Sequence, residues 1–274
     1  MFLAQRLLMG AVLVAGVLVL NFLLIRLAPG DPAQVLAGQM GGATPELLAR
    51  IRADYGLDQP LAGQLATYLG NVLRGDLGTS YFFDRPVAEL IAARIGPTIL
   101  LVVTAQLGAI LLGVVMGVLA ARRPHGLLSG AVTVLATVGY ATPVFWTGIM
   151  LIILFASILP VFPVEGMADA SYDGNPLAYA LDVAHHLVLP AATLGIIFLA
   201  QYARLARASM IDVLGTDYIR TARAKGVRQR RVVFHHALRN AILPILTVAG
   251  LQFGNLISGA LLVETVFNWP GMGR

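Results

Sequence analysis

The chain has no cysteine. That excludes disulfides, thiolate zinc sites and cysteine-held iron–sulfur clusters as sources of stability. Lysine is almost as scarce: Lys225 is the only one and Gly226 follows it, so no GxxxxGK[ST] phosphate loop can be written anywhere in the sequence. Any nucleotide that drives this protein has to be bound by another chain. Charge is thin, at 12% of 274 residues, against 58% hydrophobic residues and a mean hydropathy of +0.79. No soluble domain hides that much apolar surface, so the chain is read as a membrane protein.

Other absences narrow the chemistry. The five histidines (His125, His185, His186, His235, His236) form no HExxH and no metal spacing with carboxylates. Ser129 and Ser258 precede glycines but lack the glycine two positions before, so an intramembrane hydrolase, the alternative from the enzyme class, has no nucleophile turn. No Asp or Glu lies inside an apolar run; Asp182 and Glu264 sit at edges. Carriers coupled to protons or sodium place ionisable groups near the midplane, which disfavours that class. No catalytic, cofactor-binding or metal-ligating residue is expected.

What is present is a set of apolar runs at about residues 7–27, 97–120, 129–158, 187–203 and 241–263, each near or above the ~20 residues that cross a bilayer as helix. The expected architecture is an all-α polytopic helical bundle with five spans: a first transmembrane helix over 1–28, an external helical region over 29–96, and a core over 97–274. In the external region Thr44 and Pro45 read as N-cap and first helical residue, with Gly56 as the stop. Asp58 opens a second helix with Leu61, Leu65, Leu69 and Val72 on one face and Gly75 at its end. Gly113 with Gly117 and Gly250 with Gly254 have the GxxxG spacing that lets helices approach. Pro143 in "YATPVFW" should kink the third span. Residues 160–186, with four acids and no cation, read as a solvated loop with no site.

The cations are unevenly spread. Nine of the 19 Lys and Arg residues lie between Arg204 and Arg239, beside only Asp212 and Asp217. Nine cations near the bilayer midplane would cost on the order of 20–30 kcal/mol, so 204–239 is a loop outside the hydrocarbon. With the N-terminus inside, the inner segments carry a net charge of plus ten and the outer ones minus five. The positive-inside rule therefore puts the N-terminus in the cytoplasm. A nucleic-acid reading fails, because the stretch is tethered to spans at both ends and lacks interleaved aromatics. Between Gly215 and Gly226 a short helix is expected, with Asp217 as N-cap, Tyr218, Ile219, Ala222 and Gly226 on a narrow arc suited to a partner's cleft, and Arg220 and Arg223 opposite. Arg228, Arg231, His235 and Arg239 form a second stripe, suited to snorkelling toward lipid phosphates. Gln106, Gln252 and Asn255 are polar groups within spans and are the candidates for lining a translocation path.

These stretches carry a resemblance. "ARLARASMIDVLGTDYIRTARAKG" resembles the cytoplasmic loop of permease subunits of ATP-binding-cassette importers. "FLLIRLAPGDPAQ", "YGLDQPLAGQLATYLGNVLRGDLGTSY", "ATPVFWTGIML" and "LLVETVFNWPGMGR" are similar to the dipeptide/oligopeptide branch. The resemblance implies that the helix holding Asp217, Tyr218, Ile219, Arg220, Ala222, Arg223 and Gly226 docks on an ATP-binding subunit. Aligned on Gly226, the EAA triplet falls on Arg220, Thr221 and Ala222, of which only Ala222 matches. It implies as partners a second homologous permease, two ATP-binding subunits that hold the ATP, an external solute-binding protein and membrane lipids. It further implies a bacterial inner-membrane location, a sixth span beyond Arg274, and peptide substrates, with nickel chelates, glutathione or oligosaccharides as alternatives.

Overall fold

The computed structural model describes residues 2–27, 30–39, 42, 44–54, 56–80, 82–169 and 175–273. They fall into two compact units, Met1–Ala93 and Arg94–Arg274. Among the described residues four helices are long and apolar enough to cross a membrane, and a fifth crossing is available if one bent pair counts as a span. The chain is an all-helical membrane protein.

The first unit begins with α1 (Phe2–Leu27), whose apolar side chains are nearly all exposed along its length. Bare leucines and valines all round a 26-residue helix are the mark of lipid contact. Near its end Phe22 stacks on Tyr68 at 5.8 Å. α2 (Pro32–Gln39) and α3 (Pro45–Asp54) enclose a small core of Ala33, Ala37 and Ile51. Thr44 caps α3 as expected, its Oγ1 accepting the Leu47 N–H at 3.3 Å, and Gly56 follows with φ +57°. α4 (Leu61–Leu73) starts three residues after Asp58, behind Pro60. Proline supplies the start there by fixing φ, so the expected acidic opening is not used. A two-residue hairpin follows, β1 (Thr79–Ser80) against β2 (Arg85–Pro86).

α5 (Val87–Ala121) runs from the first unit into the second. The second unit continues with α6 (Leu127–Ala141), α7 (Val144–Ile152), α8 (Pro176–Leu214), α9 (Asp217–Ala224), α10 (Gln229–Arg231) and α11 (Leu238–Val266). Helices α7 and α10 each lead into a π-helical turn, Ile153–Ile158 and Val232–Ala237. The expected kink at Pro143 is a full corner: the α6 side and the α7 side meet at 107°. Pro143 is extended and lacks an N–H, so the helical ladder stops at Thr142 and restarts beyond the proline.

α8 corrects the reading of residues 160–186 as loop. Its N-cap is Asn175, whose side chain accepts the Leu177 N–H at 3.1 Å, with Pro176 in the first turn. The loop therefore ends at Asn175, eleven residues earlier than expected, and is not merely solvated. Phe162, Met167 and Ala168 pack on the core, and buried His186 lies 3.2 Å from Asp182. The 204–214 stretch, expected as loop, continues α8.

Among the described residues two large clusters pack the second unit, with a small third one of Ala120, Val132 and Ala203. Near α9 lie Val114, Val118, Tyr202, Ala206, Met210, Ile219, Val233 and Ile245. At the other end lie Leu101, Val102, Leu187, Leu194, Leu256, Val263, Phe267 and Trp269. Gly113 and Gly117 bring α5 onto α8. A Cβ on Gly113 would sit 2.9 Å from the Leu199 carbonyl oxygen, and one on Gly117 2.5 Å from that of Ala203. Gly250 and Gly254 do not approach any described residue in this way: both have open space over their Cα atoms.

Candidate functional site

The cation-rich stretch is a helix between two glycines. Gly215 ends α8, and Thr216, extended at φ −74° and ψ 156°, occupies the N-cap of α9. Asp217 is thus the first helical residue and not the cap; there its carboxylate still favours the positive end of the helix dipole, and it pairs with Arg220 at 3.2 Å. Gly226 closes α9 with φ +77°. Its N–H bonds the Arg223 carbonyl at 2.9 Å and the Val227 N–H bonds that of Ala222 at 3.2 Å, the paired bonds of a Schellman ending. Glycine stands at this position because the backbone is left-handed, and nothing lies within 4 Å of where its Cβ would be.

The expected arc of α9 is divided: Tyr218 and Gly226 are exposed, whereas the other two residues turn to the bundle. Ile219 is fully buried and Ala222 half-buried, both against this chain's own Tyr202–Val233 cluster. Tyr218 accepts a hydrogen bond from Asn240 Nδ2 at 2.8 Å, which ties it to α11. The apolar arc anchors the helix to the bundle because burying isoleucine is worth about 2 kcal/mol that an exposed position forfeits. Exposed instead are Asp217, Arg220, Thr221, Arg223 and Ala224.

The three polar candidates within spans have different roles. Gln106 is buried and holds three helices together: its Nε2 donates to the Tyr202 hydroxyl and to the Ala249 carbonyl, each at 3.0 Å. Both partners are in the interior, so Gln106 clamps α5, α8 and α11 together. Gln252 and Asn255 do come together, Asn255 Nδ2 donating to Gln252 Oε1 at 2.6 Å, with Gln252 Nε2 reaching Gln201 Oε1 at 3.4 Å. Gln201 escaped the sequence reading because it sits at the edge of an apolar run. Asn255 is exposed, and above and below it Thr247, Gly250, Gly254 and Ser258 share the face of α11 turned away from the core.

The sequence reading also missed a knot at the other end. Buried Glu264 accepts the Thr98 hydroxyl at 2.6 Å and the Gly273 N–H at 2.7 Å, while Thr98 Oγ1 accepts the Met272 N–H at 2.8 Å. Trp269 Nε1 donates to the Pro97 carbonyl at 3.0 Å. A side chain on Gly271 would collide with the Glu264 carboxylate, which explains why "WPGMGR" is glycine-rich. The signal was in plain view: a single acid at the end of a span, followed by two glycines.

Comparison with known proteins decides what this bundle is. Residues 113–274 match the model of the binding-protein-dependent transport system inner membrane component, and residues 1–102 match the model of the N-terminal part of such membrane components. The chain belongs to that family. It is 42% identical to the dipeptide transport system permease protein DppB of Escherichia coli (strain K12) over 94% of this chain and 81% of that protein. The oligopeptide transport system permease protein AppB of Bacillus subtilis (strain 168) is 38% identical over all of this chain and 85% of its own length. The glutathione transport system permease protein GsiC of Pectobacterium atrosepticum is 43% identical over 94% of this chain and 79% of that protein. This chain is accordingly a permease subunit of an ATP-binding-cassette importer, and its described residues offer four candidate crossings, or the expected five if the pair bent at Pro143 counts as one.

Proposed function

We propose that this permease forms half of the pathway of an importer of dipeptides or oligopeptides, working with a second homologous permease, two subunits that bind the ATP, and an external solute-binding protein. The observation that carries the substrate class is 42% identity to a dipeptide permease across nearly the whole chain. Similarity to a glutathione permease keeps a modified tripeptide within the same class, since both ligands present backbone amides and a terminal carboxylate.

The ATP-binding subunit docks on the exposed face of α9, meeting Asp217, Arg220, Thr221 and Ala224, while Ile219 holds the helix on the bundle. The second permease meets the bare face of α11 around Gly250 and Gly254, beside the Gln201–Gln252–Asn255 amides. The N-terminus is cytoplasmic, on the charge asymmetry of plus ten against minus five. Because the chain lacks thiols, single cysteines at Ser80 and Ser209 test this directly: only the former should label from outside intact cells.

The function itself is tested by uptake. In cells carrying the complete importer, deleting this subunit should abolish uptake of labelled di- and tripeptides. Restored chain carrying Arg220→Glu should accumulate normally but lose most ATP-binding subunit on co-purification. Uptake of nickel chelates or oligosaccharides in place of peptides would overturn the substrate class. Normal association by the Arg220→Glu variant would overturn the docking face.

A further inference from the structure

The loop between α5 and α6, residues 122–126, joins two apolar helices and therefore lies at the membrane boundary. It borders a cavity of about 940 Å³, walled by Arg122, Arg123, Arg223 and Gln229 on its polar side and by Leu119 and Leu127 on its apolar side. None of the three guanidiniums makes an ion pair or side-chain hydrogen bond among the described residues, and no carboxylate lines the cavity. The loop is held in place by a fourth arginine: Arg207 donates to Ser129 Oγ at 2.7 Å and to the Pro124 carbonyl at 3.1 Å. Three cations are thus brought together, at a site whose position is set by α8, without a protein anion to balance them. Such an arrangement costs self-repulsion unless an anion is bound.

The geometry points to a binding site for the phosphate headgroup of an anionic phospholipid, with Arg122, Arg123 and Arg223 around the phosphate and Leu119 and Leu127 along the first part of an acyl chain. The lining decides for lipid over a protein side chain. Leu127 is 95% exposed immediately beside the arginines, and an apolar residue so placed at a membrane boundary faces hydrocarbon that a soluble partner does not reach. Arginine suits the ligand, because its planar fork binds phosphate through paired N–H donors. The site spans the α5–α6 loop and α9, so a bound lipid would brace the short helix against the bundle. This inference does not depend on the peptide-transport reading.

The test uses the purified full-length chain in a zwitterionic detergent, with bound lipid counted by native mass spectrometry during titration with phosphatidylglycerol, phosphatidylcholine or inorganic phosphate. Phosphatidylglycerol should occupy one saturable site, more tightly than phosphatidylcholine, and millimolar phosphate should not displace it. At about fivefold per cation near a membrane surface, Arg223→Gln should weaken it about fivefold, and Arg122→Gln, Arg123→Gln and Arg223→Gln together on the order of 100-fold. The same charge removed as Arg74→Gln, Arg204→Gln and Arg230→Gln, three exposed arginines outside the cavity, should weaken it far less. The single Arg223→Gln variant, which leaves the loop intact, serves if the triple variant fails to fold. Equal affinity for phosphatidylcholine, displacement by free phosphate, or unchanged lipid retention in either cavity variant would overturn the site. So would a triple variant that keeps its lipid but loses the ATP-binding subunit, since the cavity would then belong to that protein.

Discussion

Two helices of this permease carry the same small-residue spacing and use it in opposite ways. On α5, Gly113 and Gly117 press against the α8 backbone so closely that a Cβ at Gly117 would lie 2.5 Å from both the Ala203 carbonyl oxygen and the Ala206 Cβ. On α11, Gly250 and Gly254 meet nothing within 4 Å, while Ile245, Leu256 and Val263 on the far side of the helix are fully buried. The motif gives a helix a shallow strip. What fills the strip is set by the arrangement of the other helices, which the spacing does not encode. In lipid a strip of glycine, threonine and serine gains nothing over leucine, so its presence on the bare face of a subunit points outward, to another protein or to a wet path.

The largest effect expected is from filling the closed strip. Gly117→Leu must push α5 off α8, because the obstructing atoms are backbone and a Cβ with no freedom to move. A loss of about 3 kcal/mol, the upper end of overpacking, is expected in denaturant unfolding of the purified chain, or failure to accumulate. Gly250→Leu in the same assay should change stability by less than about 0.5 kcal/mol. If the two variants are equally destabilised, the contrast between the strips is wrong.

Next in size is the Glu264 knot, another contact that the chain keeps for itself. Glu264→Ala leaves the Thr98 hydroxyl and the Gly273 N–H without their acceptor in a buried site. That should cost about 2–3 kcal/mol. Glu264→Gln should recover part of it, since the amide oxygen can still accept from Thr98. Equal stability of Glu264→Ala and the unsubstituted chain would place the knot's value elsewhere, in Trp269.

How far the sequence foretold these contacts depends on what kind of signal each one leaves. Long apolar runs, the absence of a phosphate loop and the Thr44–Pro45 helix start are local signals, and each is legible without tertiary knowledge. The direction in which α9 turns its apolar arc is not local. A short helix with Ile219 and Ala222 on one side satisfies its periodicity equally well against a partner or against its own bundle, and only the position of Tyr202 and Val233 resolves the choice. Gln106 posed the same difficulty. A glutamine in a span reads as path-lining until Tyr202 and the Ala249 carbonyl are seen to consume its amide.

The open strip gives a smaller effect on the subunit and a larger one on assembly. Gly254→Leu should leave unfolding of the isolated chain unchanged and reduce recovery of the second permease by about tenfold or more on co-purification, as an added side chain blocks close approach. Full recovery with normal peptide uptake would return that face to lipid.

The smallest effect is expected in the first unit, at a solvent-facing pair. Arg52 hydrogen-bonds Asp31 at 2.5 Å, and the Ala33 N–H donates to the same carboxylate at 2.9 Å. The Arg52 bond first, then the Ala33 bond, hold the Asp31 carboxyl below its ordinary range, and the pairing raises Arg52 above its own. A carboxyl whose folded value is depressed contributes stability above its unfolded pKa, about 3.9, and loses it as pH falls through the lower folded value. Arg52 stays charged throughout, so Asp31 alone sets the window. Asp31→Asn should therefore lower the thermal midpoint slightly at pH 7, and the gap from the unsubstituted chain should close as pH drops below about 4. Both side chains are partly exposed, so solvent and salt screen the pair and the gap should also narrow at high ionic strength. A gap that persists unchanged at low pH would mean that Asp31 acts only as the acceptor for Ala33, a role asparagine fills less well at any pH. The Asp31–Arg52 pair would then owe nothing to charge, and the contrast between sealed and solvent-facing contacts would rest on the two glycine strips alone.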